Sequence, residues 1–420
     1  MGNKSRFLDA IESAVEGVTD PGATACDLFA GTAVVARRLA KSRPVVCSDV
    51  QAYSKVLAGA LTQPRAFSPR EVDNILEVAR DWLSGTEPVV QDLLELERKA
   101  MMEASTSPGA LAEIIDFGSL SIAGRGHRDL QAAKETARQI LHPESTAVAW
   151  YYGGVYFSYR QALELDALRH AVRVLGGIQR DNTAVAALLG VASDAVSTVG
   201  NHFAQPIQPR RADGTLKRSW VTSVTRSRQI SVFDGFRGWL ARYAAIRPTA
   251  HHCVALQADY QDTLSTFGSD VGVIYADPPY TRDHYSRFYH VLETIAVDDD
   301  PGVTTSQVAS EPSRGLYRES RHQSPFSIRT QVRPAFHELF SHGKRLDVPL
   351  VLSYSPMSGG TRARPETRLM SIQDLMALAG DYFADVRLID VASSSHSRFN
   401  RSELNAAVDG SAEVLIVATN

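Results

Sequence analysis

The apolar run Val271–Ala276 (VGVIYA) stops at Asp277-Pro278-Pro279-Tyr280, and that junction constrains the fold more than any other stretch of the sequence. An uncharged run containing Val271, Val273 and Ile274 predicts a strand buried on both faces, as in the middle of a parallel sheet. Proline has no N–H and a fixed φ, so two in succession end the strand and stiffen the turn that follows. The turn is thereby delivered to the carboxyl end of a sheet, where open α/β proteins bind ligands.

Partner strands are legible on both sides. Ala23–Phe29 is a short apolar run ending in Ala30-Gly31-Thr32, and Val34, Val35 and Leu39 mark a helix after it. Pro44–Ser48 reads as the next strand, closed by Asp49. This strand–Gly turn–helix–strand–acid unit is the opening of a doubly wound α/β sheet. The same pattern returns at Cys253–Leu256, Pro349–Tyr354, Val386–Val391 and Val414–Ala418, with helical spacing over 333–341 and 371–379. Between the two parts, residues 68–117, 128–141 and 157–199 read as helices, the first of them acidic, and the first clear strand signal after them comes at about Val221. Residues 297–330, rich in Asp, Ser, Arg and Pro, read as a long loop. The simplest organisation is a sheet domain from 1–65 and 250–420, interrupted by a mostly helical insertion, 66–249. Loop-closure cost grows slowly with length, so such an insertion is tolerable.

Composition narrows the class. A net charge of −3 gives no global basic signature, so any nucleic-acid surface must be local. The segment Arg210–Arg247 is such a place: nine Arg/Lys (210, 211, 217, 218, 226, 228, 237, 242, 247) face two Asp (213, 234), interleaved with Trp220, Phe233, Phe236, Trp239 and Tyr243. A second basic stretch holds Arg314, Arg318, Arg321 and Arg329. Cys26, Cys47 and Cys253 show no CxxC spacing, so no zinc site is expected, and free thiols in apolar runs fit a reducing cytoplasm. His251-His252 lacks further ligands at metal spacing and is read as structural. No signal peptide or membrane span is expected, and Met1-Gly2 with Ser5 is discounted as a myristoylation signal because Lys4 and a helical pattern follow.

The chemistry of the double-proline turn is specific. Asp277 offers a carboxylate, Pro278 a carbonyl with no competing N–H, and Tyr280 an aromatic face. An exocyclic amine has two hydrogens to donate and a flat ring to stack. The two acceptors can take both hydrogens and draw the nitrogen lone pair out of conjugation, while Tyr280 stacks on a base taken out of its duplex. In the first part of the chain, Asp27-Leu28-Phe29-Ala30-Gly31-Thr32 lacks the full GxGxxG fingerprint, which argues for a cofactor without a pyrophosphate, and Asp49 is placed to reach ribose hydroxyls. Ser353-Tyr354-Ser355, at a strand end, is a further candidate for the pocket wall.

Together these stretches resemble the DNA adenine-N6 methyltransferases of the Dam-like, D12 class. Gly2 to Leu8 is similar to the family's Gly-x-Lys cofactor motif, Asp27–Thr32 to its cofactor loop, Asp49 to its ribose-binding acid, Ala258-Asp259-Tyr260 to the motif beside the cofactor adenine, and Asp277–Tyr280 to its catalytic motif. Tyr285–His290 also resembles a stretch that follows the catalytic motif in some members. The resemblance implies a Rossmann-like sheet using S-adenosylmethionine, with Asn3, Lys4, Asp27, Phe29, Gly31, Thr32, Asp49, Asp259 and Asp277 at the cofactor and Asp277, Pro278, Pro279 and Tyr280 at the reacting base. It implies double-stranded DNA as partner, a target recognition domain in the insertion, and a cognate restriction or defence-system protein. Arg210, Arg211, Lys217, Arg218, Arg226, Arg228, Arg318 and Arg321 are the expected nucleic-acid contacts. No metal is expected. The tetrapeptide specifies an amino nitrogen better than a base, so cytosine-N4 and RNA amino-methylation stay open, as does a non-catalytic DNA-binding module of the same fold.

Overall fold

A computed structural model describes residues 4–176, 181–200, 202–282, 284–305, 311–355, 359–361, 364–366, 368–391 and 413–420. Two compact units emerge: a sheet unit of Met1–Pro64, Arg247–Tyr285 and His322–Asn420, and a helical unit of Arg65–Ile246 and Ser286–Arg321. The segment 286–321, which its sequence pattern leaves with the sheet, groups instead with the helices. Its cause is aromatic: His290 packs against Tyr152, Tyr156, Phe203 and Tyr317 of the helical unit.

The sheet unit is mixed α/β around seven strands. In chain order they are β1 (Ala25–Leu28), β2 (Val45–Asp49), β3 (Cys253–Gln257), β4 (Val273–Ala276), β5 (Leu350–Tyr354), then, after a small hairpin of β6 (Gly359–Thr361) and β7 (Arg364–Glu366), β8 (Asp385–Val391) and β9 (Glu413–Thr419). The sheet order is β3-β2-β1-β4-β5-β9-β8. Strands β1 to β5 pair in parallel, and β9 runs antiparallel to both β5 and β8. The order reverses between β1 and β4, where adjacent strands lead to opposite sides and open a crevice at their carboxyl ends.

Both faces are covered, which is why the strands read as unbroken apolar runs. One face carries Cys26, Leu28, Ile274, Ala276, Leu350, Leu352, Val414 and Ile416 against the helices Tyr260–Phe267, Val332–Leu346 and Ile372–Gly380. The other carries Ala25, Val45, Cys47, Val273, Tyr275, Val351, Leu415 and Val417 against the helices Leu8–Glu16 and Val34–Leu39. Side chains alternate along a strand. On the second face, therefore, the next residues at the carboxyl ends are Asp27, Asp277 and Ser353, and antiparallel β9 adds its first residue, Glu413.

The helical unit is built around Tyr159–Gly176, whose Ala162, Leu163, Leu165, Ala167, Leu168 and Ala171 are all buried. Its helices start where the side chains say they should. Ser68 and Glu71 form a reciprocal capping box before Pro69–Thr86, Asp181 caps Asn182–Ala195, and Ser231 caps Val232–Ala244. Gly190 lets two of these helices touch, since a Cβ there would lie 2.4 Å from the Trp239 ring. The strand signal near Val221 is not realised. Val221–Ser227 is a helix that buries Val224 at one-turn spacing from Val221, so packing overrides the β-branched composition. Most of the described residues of 297–330 are irregular, apart from a single turn at Pro325–Ser327, but they are pinned: Thr304 N–H donates to the Tyr317 carbonyl at 2.8 Å.

Candidate active site

Strand β4 ends at Ala276, in register with Leu28 of β1, and the Asp277 N–H donates to the Leu28 carbonyl at 3.4 Å. The double-proline turn and the 27–32 loop are therefore neighbours at the reversal of strand order. Tyr280 is half-buried, its ring 5.5 Å from that of Tyr354 in an edge contact. The Tyr354 hydroxyl in turn donates to the Met370 carbonyl at 2.9 Å, and Thr281 bridges Arg368. Tyr354 thus braces the Tyr280 ring.

A buried ammonium organises the turn. Lys4 Nζ lies 3.0 Å from Asp277 Oδ1 and 2.6 Å from Glu413 Oε1, and it donates to Ser353 Oγ at 2.9 Å. The Ser353 hydroxyl donates to Glu413 Oε1 at 2.7 Å. Burial works against the Lys4 charge, but Asp277, Tyr275 and Glu413 outweigh it and hold the ammonium charged. Burial pushes the Asp277 carboxyl up to about 6, with Lys4 opposing and Glu413 reinforcing the rise. Asp27 is fully buried, its Oδ2 has no hydrogen-bond partner, and burial drives its carboxyl well above the usual range, with Asp277 and Asp49 adding repulsion.

The 27–32 loop is conformationally costly. Phe29, Gly31 and Ala33 have φ of 61°, 53° and 56°. Two of the three carry a Cβ, and such strain gathers where a backbone must face a ligand. Asp49 holds the loop: its Oδ2 accepts the Gly31 N–H at 3.0 Å and its Oδ1 the Gln51 N–H at 2.9 Å. The Ser54 hydroxyl donates to the Gly31 carbonyl at 2.6 Å. Thr32 sits half-buried in the same loop. Phe29 packs on Phe326 and Tyr260, at 5.2 and 5.7 Å between centroids. Asp259 caps the helix Tyr260–Phe267 through the Asp262 N–H at 2.8 Å. Asn3 lies outside the described residues.

These two chain segments, so arranged, match a known family. Residues 1–89 and 245–350 match the D12 class N6 adenine-specific DNA methyltransferase family. Members are DNA methyltransferases, a class that generally uses S-adenosylmethionine. The match spans β1 to β4 and reaches the first residue of β5, leaving residues 90–244 and 351–420 outside it. No curated protein matches the chain. Among the described residues, no helix is long and apolar enough to cross a membrane.

The expected nucleic-acid residues divide sharply. Arg228 does not belong at a surface: its side chain is buried against Glu97, and its Nη2 donates to the Gly154 carbonyl at 2.6 Å. Arg318 is likewise buried, gripping Asp299 at 2.7 Å. Both are committed to carboxylates inside the helical unit, so neither can reach a phosphate. Trp220, Phe236 and Tyr243 are core residues. Arg321 is half-buried, donates to the Arg318 carbonyl at 3.0 Å and lies 4.9 Å from the Tyr317 ring centre. Arg211, Arg218 and Arg226 are exposed, and Lys217 is half-buried. Arg211 stands on a tight loop closed by the Arg210–Leu216 bridge. Beside that loop is a cleft of about 740 Å³ with Arg125, Arg210, Arg211 and Arg314 on its walls and Ile115, Phe117, Val155 and Leu316 among its apolar lining. Asp116 joins Arg210 (3.2 Å) to Arg314 (3.3 Å) there.

Sequence reading missed Glu413 altogether. Its signal was present: a carboxylate opens the apolar run Val414–Ala418 on the face that carries Leu415 and Val417.

Proposed function

We propose that the protein methylates adenine N6 at specific sites in double-stranded DNA, using S-adenosylmethionine, with the target base turned out of the duplex onto the Asp277–Tyr280 turn. The observation that carries this reading is the Asp277 carboxylate at the β1/β4 reversal, ion-paired through Oδ1 and beside a rigid turn whose Tyr280 ring is braced by Tyr354.

The donor set suits the cofactor. S-adenosylmethionine is a sulfonium cation, and Asp277 and Glu413 share Lys4 as their buried counter-charge, while the buried Asp27 has Oδ2 unpartnered. A cation relieves that imbalance. Asp27, the strained 29–33 loop and Asp49 would hold it. When bound, the cofactor supplies an electrophilic methyl group.

Everything else falls to the chain. Asp277 Oδ2 and the Pro278 carbonyl accept the two amine hydrogens and turn the nitrogen lone pair out of the ring plane. Tyr280 stacks on the base, and Tyr354 keeps its ring from swinging away. Asp277 needs no strong basicity, because the nitrogen becomes acidic only as its new bond forms. Its work is orientation and stabilisation of developing positive charge. The helical unit is assigned target recognition. Its phosphate-contacting face is the Arg211–Lys217 loop with the arginine-walled cleft, since phosphate contacts need exposed, locally clustered cations.

The test is incubation with methyl-labelled S-adenosylmethionine and plasmid DNA, followed by nucleoside mass spectrometry and sequencing that reports modified bases. N6-methyladenine at one short motif is expected. N4-methylcytosine would reassign the base, and absence of label in DNA would overturn the reading.

A further inference from the structure

We propose that Glu413 is a positioning residue for the Asp277 acceptor, sharing the Lys4 ammonium with it so that Asp277 stays fixed through one oxygen and keeps the other for the amine. The inference rests on the acceptor role given to Asp277 above and extends it to a residue outside the family match.

The geometry is complete. An ammonium has three hydrogens, and Lys4 has three acceptors: Glu413 Oε1 at 2.6 Å, Ser353 Oγ at 2.9 Å and Asp277 Oδ1 at 3.0 Å. The Lys4 and Glu413 side chains are 9% and 3% exposed, whereas that of Asp277 is 24% exposed. The inner carboxylate is therefore sealed, and the outer one opens towards a ligand. The shorter contact is the inner one. Glu413 holds the ammonium back, and Ser353 fixes the Glu413 oxygen that does so. Without that anchor Lys4 would commit to Asp277, cancel its charge and compete with an amine for its lone pairs. With it, Lys4 locks the carboxylate rotation through Oδ1, the oxygen it contacts at 3.0 Å.

The fold explains why a residue so distant in sequence can do this. Every parallel strand brings its carboxyl end to the site, but β9 is antiparallel and brings its first residue. Tyr354 pairs with Val414, which sets Glu413 just beyond the end of β5. The charged and titratable groups acting on Asp277 and its partner Lys4 are Lys4 from the N-terminal turn, Glu413 from β9, Tyr275 from β4 and Asp27 from β1.

Glu413→Gln keeps the shape and removes the charge. We expect its kcat to fall by about 10- to 100-fold, the scale set by small misplacements in an active site, with the cofactor Kd changed far less. The acid limb of its pH profile should move to lower pH, because a repelling carboxylate has gone and Lys4 has turned to Asp277. Glu413→Asp should recover part of the rate. The direct readout is the side-chain carboxyl titration of Asp277 by 13C NMR, assigned by its absence in Asp277→Asn and run without substrate. A downward shift in Glu413→Gln supports the proposal; an unmoved titration, or a kcat within twofold of wild type, overturns it. If Glu413→Gln does not fold, Ser353→Ala loosens the same anchor without changing charge and must shift the same titration. Should wild-type protein fail to methylate DNA, the functional reading falls, while the titration still decides whether Glu413 controls Asp277.

Discussion

The sheet unit and the helical unit both bury charge, but they balance it differently. In the helical unit the buried groups are matched. Glu97 meets Arg228, Asp299 meets Arg318, and Asp166 and Asp298 share Arg169, with Arg173 at 3.6 Å from Asp298. Lys134 has no carboxylate among its hydrogen-bond partners, yet three carbonyls, of Phe117, Ile122 and Arg125, accept its hydrogens, and burial draws it down to about 8. In the sheet unit, Asp277 and Glu413 have one buried ammonium between them, and an oxygen of the buried Asp27 is left without a partner. A matched pair is a structural device, because its charges are spent on each other. An unmatched set costs stability in the empty protein and is sustained where something else completes it.

The sharpest break between the two comes from Asp277→Ala. Turnover should fall by about 1,000-fold or more, the scale of removing a preorganised electrostatic group. Cofactor binding, measured by calorimetry at pH 7, should weaken by only about tenfold, the effect of losing the Asp277 charge, and the protein should remain folded. A variant with near-wild-type turnover would remove Asp277 from the chemistry.

In the helical unit, Arg228→Ala should act on stability. It strands Glu97 in the core, which costs about 3–5 kcal/mol, and denaturant unfolding would register the loss. Replacing both partners with apolar side chains of similar volume should return most of it. If the single variant is as stable as wild type, the pair is not buried in solution.

Cofactor affinity should depend on pH. Burial raises Asp277 to about 6, so this carboxyl binds a proton on the acid side of neutrality, and burial raises Asp27 well above its usual value too. A cation favours the ionised forms. Affinity for S-adenosylmethionine should therefore rise as pH increases from 5 to 7, by about tenfold, with proton release on binding. Calorimetry in buffers of differing ionisation enthalpy measures both. A flat profile would contradict the unmatched-charge reading of the sheet unit.

The smallest effect is expected at the surface. Arg211→Ala and Lys217→Ala should each weaken DNA binding a few-fold and reduce the salt dependence by about 0.9 in the log–log slope per lost phosphate contact. Equal slopes in wild type and variants would move the DNA face elsewhere.

Much of this was readable along the chain. The junction at Ala276–Asp277 marked a strand end, Gly31 a turn, Asp49 a strand-end acid, and residue 68 the start of a helical stretch. Each is a local property, decided by backbone sterics or by a side chain bonding to its own neighbours. Arg228 could not be read in this way. In a basic segment it looks like Arg226, two residues before it, yet one is exposed and the other buried against Glu97. That difference depends on which face of a short helix meets the core, and Val221–Ser227 has too few turns to declare a face.

By itself, then, the sequence determined where the strands of the sheet lie, that these apolar runs are covered on both sides, and that an amine-accepting turn sits at one strand's end. Only the tertiary structure decided what charges that turn meets. Lys4 lies 273 residues before Asp277 and 409 before Glu413. Their meeting requires the reversal of β9 against β5. No local periodicity encodes that reversal, because a strand's alternation is the same whichever way it runs.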